Sequence, residues 1–279
     1  MQIDNPEIAV IWNAQEYAEH STVQAEAARA LLEKIQFRGN EKVIDIGCGD
    51  GKLSACISKK VPLGKVLGVD ISKDMIKHAQ RTFPNDEYEN LTFISEDAEN
   101  LNAQNEFDIL FSSFALQWLS DKPAFFKKAY NALTESSLLV LTIPLDVSPP
   151  LEKALEEVTV TSKWKEFFFD YSPYERLRPA SEYRAYIEHC GFVLTSFSTE
   201  TQKKIFASTQ LLKDYIRQWL IHLNHLPNSL RESFFEEVME QYFLHQPPAE
   251  DGSILFEFQR VDIIAQKSSL ESCNMQIKK

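Results

Sequence analysis

Three glycines at alternate positions, Gly47, Gly49 and Gly51, follow the run Lys42-Val43-Ile44-Asp45-Ile46. Val43, Ile44 and Ile46 are apolar and β-branched and read as a strand buried on both faces of a parallel sheet. Lys52–Lys60 beyond the glycines can be helical, with an apolar side at Leu53, Cys56 and Ile57. A strand, a glycine turn and a helix put backbone N–H groups and a helix N-terminus around one small cavity. Such a cavity suits a nucleotide or another polar ligand. Asp70 ends the next apolar run, Lys65–Asp70, about 20 residues past the turn, where a carboxylate can accept from both ribose hydroxyls. Taken singly, the glycines are a tight turn, and Asp70, ahead of Ile71-Ser72, is equally a helix cap. In strand–turn–helix–strand order they point to nucleoside-type binding.

Two ligands fit that order, a nicotinamide dinucleotide and S-adenosylmethionine. The spelling is G-x-G-x-G rather than G-x-G-x-x-G, with the acid Asp45 inside its approach. Further along, Asp97-Ala98 follows a third strand pattern, where a carboxylate can accept from the exocyclic amine of a purine; a solvated acid is the plainer alternative. Ser112-Ser113-Phe114-Ala115-Leu116-Gln117-Trp118-Leu119 leaves a fourth strand at the carboxyl edge of the sheet, the edge at which open α/β sheets bind ligands. Trp118 is there either a cap on the core or a wall of a substrate pocket. No G-x-S-x-G elbow, H-E-x-x-H or phosphate-loop G-x-x-x-x-G-K-[ST] occurs. Of the six histidines, most read as solvated residues on helix surfaces. His20 differs, because Tyr17 and Gln24 neighbour it at helical spacing.

Composition narrows the class. The chain has 279 residues, 44% hydrophobic and 25% charged, with net charge −12, the profile of a soluble globular protein. No long basic run is present, which disfavours a nucleic-acid backbone as partner. No apolar stretch reaches the roughly 18 residues of a membrane span, and the N-terminus lacks signal-peptide regions. Cys48, Cys56, Cys190 and Cys273 have no C-x-x-C spacing. They read as reduced thiols of a cytoplasmic protein, with no metal site.

The elements that must hold these residues alternate. Helical patterns precede the first strand, with Val23, Ala27, Ala30, Leu31 and Ile35 on one side. Strands are expected at 42–46, 65–70, 91–95, 107–113 and 137–143. Helices are expected at 51–60, 72–83 and 122–133, the last two with Met75, Ile76 and Ala79 and with Phe125, Phe126, Ala129 and Leu133 inward. This rhythm implies a parallel sheet with helices on both faces. It breaks over 146–180, where a short helix near 151–168 and the aromatics Trp164, Phe167, Phe168, Phe169, Tyr171 and Tyr174 serve either as core or as the wall of an apolar cavity. A helix at 181–190, a strand or hairpin arm at 192–205, helices at 210–223 and 230–244, and a last strand at 254–265 follow. Residues 268–279 read as a disordered tail.

Asp45-x-Gly47-x-Gly49-x-Gly51, Asp70, Asp97-Ala98 and Asp108 together resemble the ordered motifs of class I S-adenosylmethionine-dependent methyltransferases over about 40–145. A narrower resemblance, to the trans-aconitate and juvenile hormone acid methyltransferase group, is carried by Tyr17-x-x-x-Ser21-x-x-Gln24, Phe114-Ala-Leu-Gln-Trp118, Lys163-Trp164 and Gly191-Phe192. A malonyl-carrier-protein methyltransferase shares much of this outline.

The resemblance implies an α/β fold: a doubly wound, mostly parallel seven-stranded sheet with a helical lid or insertion. It implies one domain over 1–267, with N-terminal helices at 1–38 covering the cofactor, a cofactor core at 40–145 and helical insertions at 146–250. The cofactor is S-adenosylmethionine and the product S-adenosylhomocysteine. Cofactor contacts fall to Tyr17, Asp45, Gly47, Gly49, Gly51, Asp70, Ile71, Asp97, Ala98 and Ser113, with the glycine turn under the methionine part and Asp45 behind the turn, orienting it. Gln24, Trp118 and His20 hold the acceptor, a small-molecule carboxylic acid lying between the sheet edge and the 146–180 and 210–245 elements. Arg176 or Arg178 either pairs with a second carboxylate or is solvated. A carboxylate is already anionic at neutral pH, so no general base is needed. The protein is expected to be cytoplasmic, a monomer or homodimer, with no nucleic-acid or membrane partner. N- or C-methylation, a non-catalytic cofactor-binding protein and a dehydrogenase remain as alternatives.

Overall fold

A computed structural model of the chain describes residues 14, 22–171 and 177–268. They pack as two compact units. One takes 22–145, 177–200 and 260–268, the other 146–171 and 201–259. Strands β6 and β7 carry residues of both.

In the first unit, helix α1 (Thr22–Leu32) precedes β1 (Lys42–Ile46), α2 (Lys52–Lys60), β2 (Lys65–Asp70), α3 (Lys73–Thr82), β3 (Leu91–Ser95), β4 (Phe107–Ser113), α4 (Lys122–Ala132) and β5 (Leu133–Pro144). The seven-stranded sheet has the order β3-β2-β1-β4-β5-β7-β6, with β6 at Phe192–Phe206 and β7 at Ile254–Lys267. β1 to β5 pair in parallel and β7 runs antiparallel to β5. The order reverses between β1 and β4, so the chain leaves their carboxyl ends in opposite directions and opens a crevice there.

Alternation along each strand sorts the core into two faces. Val43, Val66, Phe93, Ile109, Phe111 and Val140 meet α1, α2 and α3 through Leu31, Leu32, Ile57, Ile76 and Ala79. Ile44, Ile46, Leu110, Leu139 and Leu141 meet α4 and the helix α7 (Ala180–His189) through Phe125, Phe126, Ala129, Tyr183 and Ile187. The doubly wound, mostly parallel sheet expected from the β-α rhythm is what the chain builds. β5 is longer than the expected 137–143, because Leu133 already pairs with Phe107 before the register shifts to Ile109 and Leu138.

The second unit centres on α5 (Pro149–Thr159) packed against α9 (Asn228–His245), with α6 (Lys165–Phe168) and α8 (Thr209–Arg217). The expected helix over 151–168 is two helices. The Thr159 hydroxyl donates to the Leu155 carbonyl at 2.7 Å in the last turn of α5, a local bond that competes with helix continuation. The expected 210–223 helix stops at Arg217 and resumes as a 3-10 turn over Ile221–His225. That break lets Leu220, His222 and Leu223 all turn inward. His222 thus corrects the surface reading of the histidines: it lies against Phe168 and Phe234, and burial drives its pKa down to about 3, the charge on His225 adding. The aromatic stretch is core here. Trp164 is fully buried, edge-on to Phe234 at 5.2 Å, and its indole N–H donates to Glu237 at 2.6 Å. Tyr174 lies outside the described residues; among the described members of the run, Phe169 alone stands in solvent.

Candidate functional site

The candidate site residues within the described part belong to the first unit; the three glycines, Asp70, Ile71, Asp97, Ala98, Ser113 and Trp118 lie at or just beyond the ends of β1, β2, β3 and β4, whereas Gln24 is on α1 and Arg178 precedes α7. Tyr17, His20 and Arg176 lie outside the described residues.

The glycine turn is held from several sides. The N–H groups of Gly47 and Cys48 both donate to the Val69 carbonyl, at 2.8 and 3.0 Å. The Gly49 N–H donates to Asp70 Oδ2 at 3.0 Å. All three glycines have positive φ, 73°, 54° and 80°, the left-handed region that L side chains avoid. Gly47 is required for space as well: a Cβ there would stand 2.1 Å from the Cβ of Ala115. At Gly51 a Cβ would stand 2.7 Å from Cζ of Phe93, and at Gly68 one would stand 2.6 Å from Cδ1 of the same ring. Phe93 therefore fills the room that two glycines leave beneath the turn. Gly51 is the N-cap of α2, and at that helix end the Asp50 carboxylate accepts from the Lys52 N–H at 3.1 Å.

Asp70 uses both oxygens on backbone, Oδ2 on Gly49 and Oδ1 on the Ser72 N–H at 2.8 Å. The cap of α3 is Ser72, whose Oγ accepts from Met75 N–H. Asp70 thus braces the glycine turn instead of capping the helix. Burial raises its pKa, against the opposing pull of those two N–H groups.

Asp45 is buried and accepts from Ser54 Oγ at 2.6 Å, in the first turn of the helix that leaves the glycines. Burial pushes its pKa up to about 7; the Ser54 bond opposes this, while the charges of Asp70 and Asp50 add to it. This pair also explains the inward face of α2. The helix buries Ser54, Ala55, Ile57 and Ser58, where Leu53, Cys56 and Ile57 were expected, because turning Ser54 inward gives the buried Asp45 its donor. Cys48 is buried, and desolvation raises its pKa well above that of a free thiol, so it is unreactive.

Asp97 accepts from the Glu99 N–H at 2.8 Å and caps a 3-10 turn over Ala98–Asn100. Ile71, beside Asp70, presents an apolar side chain that is 64% exposed. By register, Asp70 lies beside Ser95 at the end of β3, so Asp70, Ile71, Asp97 and Ala98 share one end of the edge.

Ser113, Phe114 and Gln117 occupy the other side of β1. Ser112 Oγ donates to the Ile46 carbonyl at 2.8 Å and ties β4 to β1. Phe114 has φ 53°, unusual for a bulky residue, and such strain clusters at ligand sites. Gln117 folds its amide N–H onto the Phe114 carbonyl at 2.8 Å. The buried Lys122 ammonium donates to the carbonyls of Gln117 and Leu119, at 3.2 and 2.9 Å. Trp118 closes the 3-10 turn Leu116–Trp118 and is half-buried.

Six oxygens in the described residues of this unit lack a hydrogen-bond partner although buried: Ser113 Oγ, Gln117 Oε1, Gln24 Oε1, Asp50 Oδ2, Tyr183 Oη and Asp262 Oδ2. Two of them face an ammonium, Asp50 Oδ2 that of Lys52 at 3.0 Å and Asp262 Oδ2 that of Lys34 at 3.7 Å. Buried polar atoms are normally satisfied, so those of Ser113, Gln117 and Gln24 fit a site completed by a polar ligand. Gln24 sits on α1, which packs on α2 and β5. Arg178 is exposed and lies 3.7 Å from Glu182, a surface ion pair.

The profile described as "Methyltransferase domain" matches residues 37–178, just over half of the chain. The chain is 31% identical over 233 residues to 235L of Invertebrate iridescent virus 6, which is named as a methyltransferase; the match covers 83% of this chain and 85% of that one. This chain belongs to the methyltransferase domain family. It is a class I S-adenosylmethionine-dependent methyltransferase, and the glycine turn, Asp70 and the unsatisfied oxygens suit its cofactor. It is also 24% identical over 263 residues to trans-aconitate 2-methyltransferase of Rhizobium etli, covering 92% of this chain and 99% of that one. Among solved structures, a Bacillus halodurans protein described as a methyltransferase superposes with TM-score 0.60 at 17% identity, over 88% of this chain and all of that one.

Ala115, Phe93, Ser54 and Glu99 escaped sequence reasoning. Glu99 joins the loops after β3 and β4: its carboxylate accepts from the backbone N–H and hydroxyl of Ser120 and from the Asp121 N–H. Its own carbonyl accepts from the Lys128 ammonium. A glutamate beside Asp97-Ala98 gives no sign of that partner, 21 residues away.

Proposed function

We propose that this methyltransferase transfers the methyl group of S-adenosylmethionine to a carboxylate oxygen of a small-molecule acid. The observation that carries the reading is similarity along nearly the whole length to an enzyme named for trans-aconitate, a polycarboxylate. The make-up of the edge agrees with it. Among the described site residues the polar groups are carboxylates, hydroxyls, amides and the Trp118 indole, and the carboxylates of Asp45 and Asp70 are occupied, Asp45 by Ser54 and Asp70 by the turn and Ser72. A carboxylate acceptor needs no base, because it is anionic well below neutral pH.

The bound cofactor supplies an electrophilic methyl group on a sulfonium. The protein aligns the acceptor oxygen with that methyl and keeps water out. In this reading Gly47, Gly49 and Gly51 lie under the methionine part and Asp70 accepts from the ribose hydroxyls through lone pairs not used by backbone. Ile71 covers one face of the adenine, and Asp97 with Ala98 meets its exocyclic amine. Ser113 and Tyr17 complete the cofactor contacts. Gln24, Trp118 and His20 hold the acceptor; the amide of Gln24 serves a carboxylate once turned so that its N–H groups face inward. We place the enzyme in the cytoplasm, as a monomer or homodimer without a nucleic-acid partner. Among the described residues, no helix is long and apolar enough to cross a membrane.

The test is incubation with methyl-labelled cofactor and a panel of mono-, di- and tricarboxylic acids including trans-aconitate, followed by brief alkali. A methyl ester releases labelled methanol in alkali; an N- or C-methyl product does not. Base-labile label on one acid supports the proposal. Label that survives alkali, or no label on any acid, overturns it.

A further inference from the structure

Gln117 carries a buried polar atom that has no partner among the described residues. Gln117 is 6% exposed. Its Nε2 must be the atom facing the Phe114 carbonyl, 2.8 Å away, since an amide oxygen there would repel it. The orientation of the amide is therefore fixed, and the remaining atom, Oε1, is an acceptor. It is buried with no hydrogen-bond partner among the described residues. A carboxylate cannot satisfy it; a ligand atom carrying N–H or O–H can.

Position selects the donor. The segment that carries Gln117 lies on the first glycine of the turn, as the 2.1 Å approach of Ala115 to a Cβ at Gly47 shows. Asp70 lies on the far side of β1, since β2 and β4 flank that strand. A cofactor with its ribose at Asp70 and its adenine beyond, at the end of β3, brings its amino-acid end over β1 toward β4. Its only strong donor at that end is the α-ammonium. The left-handed Phe114 and the Lys122 clamp on the Gln117 carbonyl hold the amide in place before the ligand arrives.

We propose that Gln117 Oε1 accepts a hydrogen bond from the α-ammonium of the methionine moiety and selects cofactors that carry it. The inference rests on the cofactor placement given under the proposed function.

Calorimetric titration tests it with two ligands: S-adenosylhomocysteine, and the analogue in which hydrogen replaces the α-amino group. The native protein, Gln117→Met, Gln117→Leu and Asp70→Asn are titrated with each, after thermal unfolding confirms that each variant is folded. A hydrogen bond to a charged group predicts that the native protein prefers S-adenosylhomocysteine by about 10- to 100-fold. Either Gln117 variant loses most of that preference, its affinity for the analogue staying near native. A loosened loop would weaken both ligands alike, so equal losses overturn the proposal, as does an unchanged preference. Asp70→Asn weakens both ligands alike; failure of that arm overturns the cofactor placement, whatever the Gln117 variants do.

Discussion

Asp45 should register in the pH dependence of stability. Its carboxyl is 1% exposed, and its pKa rises from 3.8 to about 7, chiefly because burial penalises the charge, with Ser54 opposing and Asp70 and Asp50 adding. The unfolded chain releases this proton near the ordinary aspartate value. Between pH 4 and 7, roughly, the folded protein holds a proton that the unfolded one has lost, so stability falls as pH rises through that window and levels off above it. At about 1.4 kcal/mol per tenfold, the whole interval is worth roughly 4 kcal/mol, and the part between pH 4.5 and 8 roughly 3 kcal/mol. Asp45→Asn removes the titration and keeps an amide oxygen for the Ser54 hydroxyl. Urea unfolding of both proteins at several pH values, followed by circular dichroism, isolates the effect, because unrelated titrations cancel in the difference. The variant should gain about 3 kcal/mol on the native protein from pH 4.5 to pH 8. A difference that stays flat across the range, or that runs the other way, refutes the reasoning.

Two further outcomes follow from packing. Gly47→Ala meets Ala115 at 2.1 Å and must hold φ 73°; it should abolish calorimetric binding of S-adenosylhomocysteine, and adding Ala115→Gly should restore part of it, leaving only the roughly 1–2 kcal/mol of left-handed strain. No restoration would mean that the clash is not the cause. Trp164→Phe empties part of a fully buried site and removes the donor to Glu237. It should cost about 2–4 kcal/mol in urea unfolding, and a loss below 1 kcal/mol, roughly, would show that the aromatic cluster repacks.

The core strands and their helices were legible because each is local: a β-branched run, three glycines and a terminal acid announce β1, the turn and β2 within 30 residues, roughly. The seven-stranded sheet needed the family resemblance, since β7 reaches β5 across more than 100 residues, roughly, that no period spans. What stayed hidden depends on distant partners. Ser54 reads as the outer side of α2 until Asp45 is seen beneath it. His222 reads as a surface residue until the break after Arg217 turns it onto Phe168. Ala115 is an unremarkable alanine except that it stands against Gly47. The 151–168 stretch looked continuous because neither glycine nor proline interrupts it; its break comes from side-chain hydroxyls of Thr159 and Thr161 bonding back to the helix.

The division of labour at the edge follows from where hydrogen bonds are already made. The glycine turn is complete without ligand: Val69, Asp70, Ala115 and Phe93 fix it through backbone bonds and contact. A rigid turn loses little freedom on binding, so its shape is set before the ligand arrives. The loop after β4 is complete in its backbone, through Lys122 and the Phe114 carbonyl, but not in its side chains, since Ser113 Oγ and Gln117 Oε1 lack partners. Each buried, unsatisfied oxygen costs about 1–3 kcal/mol, recovered only when a ligand of the right polarity arrives. Shape and backbone are therefore set in advance, while discrimination rests on the unsatisfied oxygens. A ligand that fits the cleft but carries the wrong polar atom at Gln117 recovers none of that cost, which is how a neutral amide can choose between cofactors that differ in one amino group.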